Sequence, residues 1–242
     1  MQPSQPPSGF DASSAPALTA LSLTHILYDP ASPISFISAY LSLLPQVILV
    51  IFGSIVYSTR EIEVLLFLIG QLLSEAINVV LKKWFRQHRP GYLVEIGALR
   101  EGEGRGYGMP SSHGQFMGFF AVYCTLLLLV RLPGSTHRSA GWQRFKTGLY
   151  LVAAWGVAGA VGLARVQLRY HTLEQVAAGL GAGMVLGLGW FIVTAVARKI
   201  TPFWDFGMSL WGFFWGRDLM MHTDIVEDGY RTWQEHVARK KQ

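Results

Sequence analysis

The chain has 242 residues, of which 51% are hydrophobic and only 14% are charged. This composition excludes an ordinary soluble domain, because too few polar side chains remain to cover an apolar core. The formal net charge of +5 is small, so nucleic-acid binding is not expected. The composition predicts one polytopic domain embedded in the lipid bilayer, and the single cysteine, Cys124, excludes a disulfide within the chain.

The N-terminal segment does not resemble a cleaved signal peptide. Residues 1–33 contain no Lys or Arg, so the positively charged start of such a peptide is missing. We therefore expect a flexible tail over residues 1–20, a membrane-embedded domain over 21–222 and a polar tail over 223–242.

Five apolar runs of 15 to 25 residues follow, against the roughly 20 residues that a helix needs to cross a bilayer. They extend from Phe36 to Tyr57, Glu63 to Lys82, Phe116 to Val130, Gly148 to Leu168 and Leu173 to Ala197. Pro45 predicts a kink in the first run. The aromatic stretch from Phe203 to Trp215 is short, which favours an interfacial helix over a half-span. The predicted fold is an all-α membrane bundle of about five spans.

Basic residues in the short loops predict the orientation. The loop at 131–147 and the end of the fifth span should face the cytosol, since they carry Arg131, Arg138, Arg144, Lys146, Arg198 and Lys199. The N-terminal tail and the loops at 84–114 and 165–172 then face the opposite side. Four arginines on that side oppose this assignment: Arg86, Arg89, Arg100 and Arg105. The N-terminal tail, which lacks Lys and Arg, decides in its favour.

The second span carries a polar stripe. Its members, at intervals of four, three and four residues, are Gln71, Glu75, Asn78 and Lys82. Ionisable groups within a membrane helix are costly, so the stripe is expected to face the bundle and to serve a function. The alternatives are that Glu75 and Asn78 only hold helices together, and that Lys82 and Arg89 are basic residues reaching the bilayer surface.

A second cluster, Pro110-Ser111-Ser112-His113-Gly114, stands just before the third span and follows a glycine-rich loop. If the helix begins near Ser112, its free N–H groups and its dipole favour an anion there. Ser112 is then a candidate hydroxyl donor and His113 a candidate acid. The alternative is a helix-capping serine beside an unrelated histidine.

A third cluster lies between the fourth and fifth spans. The guanidinium of Arg165 suits phosphate oxygens, and the imidazole of His171 can attack phosphorus. Gln175, one turn after His171, is expected to accept the Nδ1 proton of that ring. Ordinary loop polarity is the alternative. Three such clusters at the ends of three membrane helices indicate one anion site, with phosphate as the favoured anion.

Together, the clusters resemble the three signature motifs of the type 2 phosphatidic acid phosphatase superfamily. The matching stretches are Lys82-x6-Arg89-Pro90, Pro110-Ser111-Ser112-His113 and Arg165-x5-His171. Flanking residues such as Tyr170-His171-Thr172 are similar to those of the branch of that superfamily that acts on dolichyl pyrophosphate. Two positions depart from the general pattern: Ala164 stands in place of serine, and Gln175 in place of aspartate.

The resemblance implies a cofactor-free and metal-independent lipid phosphatase of the endoplasmic reticulum membrane, with its site facing the lumen. It assigns His171 as the nucleophile that forms a phosphohistidine and His113 as the acid. The phosphate ligands would be Lys82, Arg89, Ser112 and Arg165, supported by Gln175, Asn78, Glu75 and Gly114. The implied substrate is dolichyl pyrophosphate, and the implied role is recycling of the lipid carrier of N-glycosylation.

The neutral amide of Gln175 predicts a preference for pyrophosphates over monophosphates. An amide stabilises an imidazolium less than a carboxylate does, so His171 needs a better leaving group. No carboxylate pair suited to Mg²⁺ accompanies the motifs, which also favours catalysis without a metal.

Three other functions remain open. The first is a related enzyme that acts on a lipid monophosphate or on a bacterial-type undecaprenyl pyrophosphate. The second is a non-catalytic lipid-phosphate binder or flippase-like protein, which the presence of both His113 and His171 disfavours. The third is a channel or transporter with Glu75 and Lys82 along its pathway, although no internal repeat is visible. The sequence carries no signal for an oligomeric state.

Overall fold

The structure is a computed structural model that describes residues 18–21, 26–91, 106–132, 140–218 and 225–240. Part of the glycine-rich loop, at positions 102 and 104, lies outside these ranges, as do Arg100, Arg105 and Arg138.

Helices make up most of the described chain. A short hairpin of antiparallel strands, β1 (Thr19–Leu21) and β2 (Ile26–Tyr28), pairs Ala20 with Leu27. The helices that follow are α1 (Pro33–Leu41), α2 (Leu44–Thr59), α3 (Ile62–Phe85), α4 (Ser112–Leu126), α5 (Ala140–Gln167), α6 (Leu173–Lys199), α7 (Thr201–Phe213) and α8 (Ile225–Lys240). A π-helical segment, Leu127–Arg131, continues α4.

Five stretches are long and apolar enough to cross a membrane, which confirms the predicted all-α membrane fold. They are Pro33–Thr59, Ile62–Phe85, Ser112–Arg131, Gly141–Gln167 and Leu173–Lys199. Large apolar side chains on them are exposed, among them Val152 at 72% and Val185 at 71%, as expected for surfaces that face lipid. The first stretch is broken at residues 42 and 43, directly before Pro45, because proline cannot continue the hydrogen bonding of a preceding helix.

Three features differ from, or add to, the sequence-based expectation. Helix α5 begins at Ala140, well before the predicted start of the fourth span at Gly148. Polar residues alternate with Trp142 and Phe145 in this first part, so an apolar run begins only later. The stretch predicted as a polar tail contains α8. The hairpin of β1 and β2 was not predicted.

The chain forms two compact units. The first contains Met1–Gln46, Ser74–Gly118 and Val157–Gly183, and the second contains Val47–Leu73, Phe119–Gly156 and Met184–Gln242. Every candidate site residue predicted from the sequence belongs to the first unit. In the polar stripe, Asn78 and Gln71 are buried at 1% exposure, whereas Glu75 and Lys82 are half-buried.

In the first unit, α4 and α6 approach each other through glycines. A Cβ at Gly114 would come within 2.8 Å of the Val176 carbonyl oxygen, and one at Gly118 within 2.3 Å of the Leu180 carbonyl oxygen. On α6, a Cβ at Gly179 would meet the Ser111 carbonyl oxygen at 2.5 Å. Small residues at such contacts let the backbones of membrane helices pack closely, so the start of α4 is held against α6.

In the second unit, a buried acid holds two arginines. The carboxylate of Glu63 is fully buried and lies 2.5 Å from Arg131 and 2.8 Å from Arg198. It also accepts the Tyr123 hydroxyl at 2.9 Å, and Arg198 pairs further with Asp218. The sequence had indicated these arginines only as loop and helix-end charges. Their carboxylate partners were not predicted.

Candidate active site

The ends of four helices carry the predicted site. Consecutive membrane spans alternate in direction, so the end of α3, the start of α4, the end of α5 and the start of α6 share one side of the membrane. Arg86 and Arg169 adopt left-handed conformations with φ of 49° and 58° just past α3 and α5. This conformation commonly ends a helix, and here it turns the chain toward Arg89 and toward His171.

His171 lies in the tight turn between α5 and α6. The backbone N–H groups of Tyr170 and His171 both donate to the Arg165 carbonyl oxygen, at 3.1 and 3.3 Å. The His171 side chain is buried, and its Nδ1 lies 3.3 Å from Oε1 of Gln175. Its Nε2 is buried and has no hydrogen-bond partner among the described residues.

The contacts of the Gln175 amide determine which way it points. Its Nε2 donates to the His88 carbonyl oxygen at 2.9 Å and to Oε1 of Gln87 at 3.3 Å, while its Oε1 accepts the Thr172 N–H at 3.3 Å. The oxygen therefore faces His171, and an oxygen only accepts hydrogen bonds. Nδ1 of His171 consequently carries the proton, and the lone pair is on Nε2.

Gln175 also joins the three sequence motifs. The main-chain carbonyl oxygen of Gln175 accepts the Ser111 N–H at 3.0 Å. Its amide lies so close to Gly108 that a Cβ there would come within 2.7 Å of it. With the contacts to His88 and His171, one side chain touches the segments that follow α3, precede α4 and precede α6.

The surroundings of His171 keep its ring neutral. Burial lowers the pKa of His171 to about 3, and the positive charges of Arg89 and Arg165 add to this shift. The hydrogen bond to Gln175 acts in the opposite direction, but with less effect. At neutral pH the Nε2 lone pair is therefore free of a proton, as a nucleophile requires.

Three cations of the predicted site, Lys82, Arg89 and Arg165, form no ion pair with a described carboxylate. Arg165 is 4% exposed, and both its Nε and that of Arg89 are buried without a hydrogen-bond partner among the described residues. Lys82 is half-buried on α3. Across the described ranges, none of these three residues forms an ion pair. Burial lowers the pKa of Arg89, in line with a guanidinium that has no nearby carboxylate.

The start of α4 presents Ser112 and His113. Oγ of Ser111 accepts the Gly114 N–H at 3.4 Å, so Ser111, not Ser112, caps the helix. The Ser112 hydroxyl forms no hydrogen bond with a described residue. Nε2 of His113 lies 3.0 Å from the Ser42 carbonyl oxygen. Because that oxygen only accepts, this nitrogen carries a proton and Nδ1 is the position that can exchange one.

Buried amides connect α3 to α4. Nδ2 of Asn78 donates to Oε1 of Gln115 at 2.8 Å and approaches the Pro110 carbonyl oxygen at 3.4 Å. Gln115 in turn donates to the Ser74 carbonyl oxygen at 2.6 Å. Asn78 therefore touches the segment that carries Ser112. Glu75 forms no hydrogen bond or ion pair with the described part of the chain.

Three residues that contact the predicted site were missed in the sequence. Gln115 had a usable signal, because an amide inside an apolar span needs a partner. Ser42 contributes only its main-chain carbonyl, which leaves no trace in the sequence. Tyr170 was noted only as part of a similar stretch, yet its ring lies 4.2 Å from Cζ of Arg165.

Comparisons with known proteins show the family of the chain. The PAP2 superfamily model matches residues 63–199. A Neurospora crassa relative is 34% identical, with 93% of this chain and 95% of that protein covered. The chain is 35% identical to dolichyldiphosphatase 1 of Homo sapiens, covering 85% of this chain and 84% of that protein. It is also 35% identical to the dolichyldiphosphatase of Saccharomyces cerevisiae, covering 73% and 71%.

A solved structure supports the fold. The crystal structure of a transmembrane PAP2 type phosphatidylglycerolphosphate phosphatase from Bacillus subtilis aligns with a TM-score of 0.50 at 22% identity, covering 68% of this chain and 77% of that one. The spans, the motif positions and the relatives lead to one family and to a phosphatase. The chain belongs to the dolichyldiphosphatase family of the PAP2 superfamily.

Proposed function

We propose that the protein hydrolyses dolichyl pyrophosphate to dolichyl phosphate and inorganic phosphate at the site formed by Lys82, Arg89, Ser112, His113, Arg165 and His171. The main observation is the contrast between the two units. In the second unit, the buried Arg131 and the half-buried Arg198 meet Glu63, and Arg198 also meets Asp218. In the first, Arg89 and Arg165 have no carboxylate among the described residues, although burying an uncompensated charge is costly. A phosphate dianion would supply that compensation.

The first step is attack by Nε2 of His171 on the terminal phosphorus. A bond forms between this nitrogen and phosphorus, and the bond from phosphorus to the bridging oxygen breaks. Dolichyl phosphate leaves, and a phosphohistidine remains. Lys82, Arg89 and Arg165, with the Ser112 hydroxyl, hold the phosphoryl oxygens. Such positioning and charge stabilisation carry most of the catalysis in phosphoryl transfer.

His113 handles the proton. Its Nε2 keeps its proton on the Ser42 carbonyl oxygen, so His113 has to enter this step as an imidazolium, whose Nδ1 proton passes to the leaving oxygen. In the second step, the same nitrogen takes a proton from water as the water attacks the phosphohistidine and releases inorganic phosphate. The net reaction consumes one water and returns both histidines to their starting states.

Gln175 makes the site selective for pyrophosphates. Phosphorylation leaves a positive charge on the His171 ring, and the neutral amide accepts its Nδ1–H without supplying a negative charge. The reaction then depends on the leaving group. A phosphate monoester, with a second pKa of roughly 6, leaves more easily than the alkoxide that a lipid monophosphate must expel.

The cellular setting follows from the same assignment. The protein would act in the endoplasmic reticulum membrane with its site toward the lumen, and would recycle the dolichol carrier of N-glycosylation. The phosphatase domain would extend over residues 21–222. Since three cations surround the phosphate, no metal ion is needed to neutralise it.

The test is phosphate release by purified full-length protein in detergent with EDTA, offered dolichyl pyrophosphate, dolichyl phosphate or phosphatidic acid. We expect release from the pyrophosphate, its loss in His171→Ala, and its retention in the control His236→Ala, which alters an exposed histidine of α8. Comparable release from dolichyl phosphate would indicate a broader lipid phosphatase. Inertness toward all three substrates would refute catalysis and favour a lipid-phosphate binder.

A further inference from the structure

Tyr170 lies between Arg165 and His171 in the sequence, and its ring contacts Arg165. Its ring centroid lies 4.2 Å from Cζ of Arg165. A guanidinium over an aromatic face is attracted by the ring quadrupole, more strongly where water is excluded. Arg165 is almost fully buried and has no ion-pair partner among the described residues. The phenol ring is thus a surface against which this guanidinium rests.

The backbone fixes the ring in turn. The Tyr170 N–H donates to the Arg165 carbonyl oxygen at 3.1 Å, and the left-handed Arg169 between them closes the turn. Ring and guanidinium therefore belong to one short loop whose ends are tied together. A change in the direction of the ring would shift the guanidinium that it supports.

The N-terminal hairpin fixes the other end of Tyr170. Oη accepts the Leu27 N–H from strand β2 at 3.0 Å. Leu27 stands opposite Ala20. Its N–H is directed to Tyr170, so this pair is one of the non-hydrogen-bonded pairs that alternate along an antiparallel ladder, in which both N–H groups point away from the partner strand. The Leu27 N–H therefore bonds to Tyr170 and takes no part in the pairing of β1 with β2.

Tyr170 also acts on the second arginine. Burial lowers the pKa of Arg89, and the charge interaction with Tyr170 raises it, so the two side chains are within electrostatic range of each other. Because Oη accepts from Leu27, its own proton remains available. Among the described residues, no acceptor takes it.

We infer that Tyr170 is a positioning residue of the phosphate site and that strand β2 contributes to this site through the Leu27 N–H. The ring orients Arg165 for the phosphoryl oxygens, and the Leu27 N–H holds the ring. This inference rests on the proposed function. It goes beyond that function by bringing into the site a segment that precedes the first membrane span and carries none of the family motifs.

The test is a double-mutant cycle on the full-length protein. Tyr170→Phe keeps the ring and removes the hydroxyl, whereas Leu27→Pro keeps the hydroxyl and removes the donor. We expect each to raise the KM for dolichyl pyrophosphate by about threefold to tenfold, the usual effect of one hydrogen bond, with kcat nearly unchanged. The double variant should match either single variant, because both remove the same contact.

A matched control and a second variant separate positioning from folding. Ala20→Pro places proline opposite Leu27, at an N–H that also points away from the partner strand, and should leave KM unchanged. Tyr170→Leu removes the ring and should raise KM by a further tenfold to 30-fold, roughly the value of a desolvated cation–π contact. Loss of folded protein at constant KM would show a purely structural role and overturn the inference.

A binding measurement keeps the inference distinct from the proposed reaction. Inorganic phosphate should raise the melting temperature of the wild type more than that of Tyr170→Phe or Leu27→Pro. If the wild type releases no phosphate from the lipid but shows this difference, the reaction is wrong and the role of Tyr170 stands. If Tyr170→Phe matches the wild type in both KM and phosphate binding, the role of Tyr170 is wrong. It is also wrong if the increases in KM caused by Tyr170→Phe and Leu27→Pro multiply in the double variant.

Discussion

Gln175→Asp is expected to raise the hydrolysis of dolichyl phosphate relative to that of dolichyl pyrophosphate. In the wild type, a neutral amide oxygen lies 3.3 Å from Nδ1 of His171. A carboxylate at this place would raise the pKa of His171 by about one to three units, which stabilises the imidazolium by about 1.4–4 kcal/mol. If about half of that charge has formed in the transition state, the gain is roughly threefold to 30-fold in rate.

The same substitution has a structural cost that needs its own control. Aspartate is shorter by one methylene and brings no N–H, so the donor to the His88 carbonyl oxygen is lost. Loss of one such hydrogen bond costs about 0.5–1.5 kcal/mol of stability. Gln175→Asn shortens the side chain by the same methylene without adding charge. The two variants are equally short and differ in the negative charge and in the N–H group that only asparagine keeps, and a change in the substrate ratio between them reports the charge.

The assay is kcat/KM for both lipids, measured on the monodisperse fraction of each variant. We expect the ratio of monophosphate to pyrophosphate hydrolysis to be higher in Gln175→Asp than in Gln175→Asn and in the wild type. Equal ratios in the two variants would refute the role given to the missing charge. So would a wild type that hydrolyses both lipids at comparable rates.

Four further predictions follow from the described contacts and from the burial of His171. Glu63→Gln leaves the buried Arg131 without a carboxylate and the half-buried Arg198 with Asp218 alone, and should lower the free energy of unfolding by about 3–5 kcal/mol; an unchanged thermal midpoint in detergent would contradict this. Gly114→Ala should lower both stability and activity, since its Cβ would meet a main-chain carbonyl oxygen, whereas Gly159→Ala, with nothing within 4 Å, should lower neither. The ring of His171, whose pKa lies near 3, should stay neutral between pH 8 and pH 5. Its ¹⁵N resonances can be assigned because they are absent from the spectrum of His171→Gln, and they should not titrate near pH 6.5. Because the unfolded chain binds this proton near pH 6.5 and the folded one only near 3, acidification through this range should destabilise the fold, and a gain in stability would be inconsistent with that shift.

The membrane spans and the location of the site could be predicted because both depend on patterns within single segments. Runs of about 20 apolar residues define a crossing whatever surrounds them. The alternation of spans then puts Arg89, Ser112 and Arg165 on one side without any knowledge of packing. The interaction of Gln175 with His171 was also accessible, since residues four apart meet on a helix.

The remaining contacts depend on segments that are far apart in the chain. Glu63, Arg131 and Arg198 each resemble an ordinary charge at a helix end, and only packing shows that they meet. Helix α8 had a visible signal in the spacing of Tyr230, Trp233 and Val237, but its many charges indicated a tail. The hairpin is short and its register is weakly specified, so the contact between Leu27 and Tyr170 could not have been anticipated.

Several side chains of the site are held by main-chain atoms from other elements. His113 meets the carbonyl of Ser42, Gln175 meets that of His88, and Tyr170 meets the N–H of Leu27. Any residue other than proline offers the same N–H, and every residue offers a carbonyl, so the identity of the holding residue hardly matters while the path of the backbone is kept. Side-chain scanning at positions 27, 42 and 88 should therefore underestimate these contacts. Replacement of single amides by esters would reveal them.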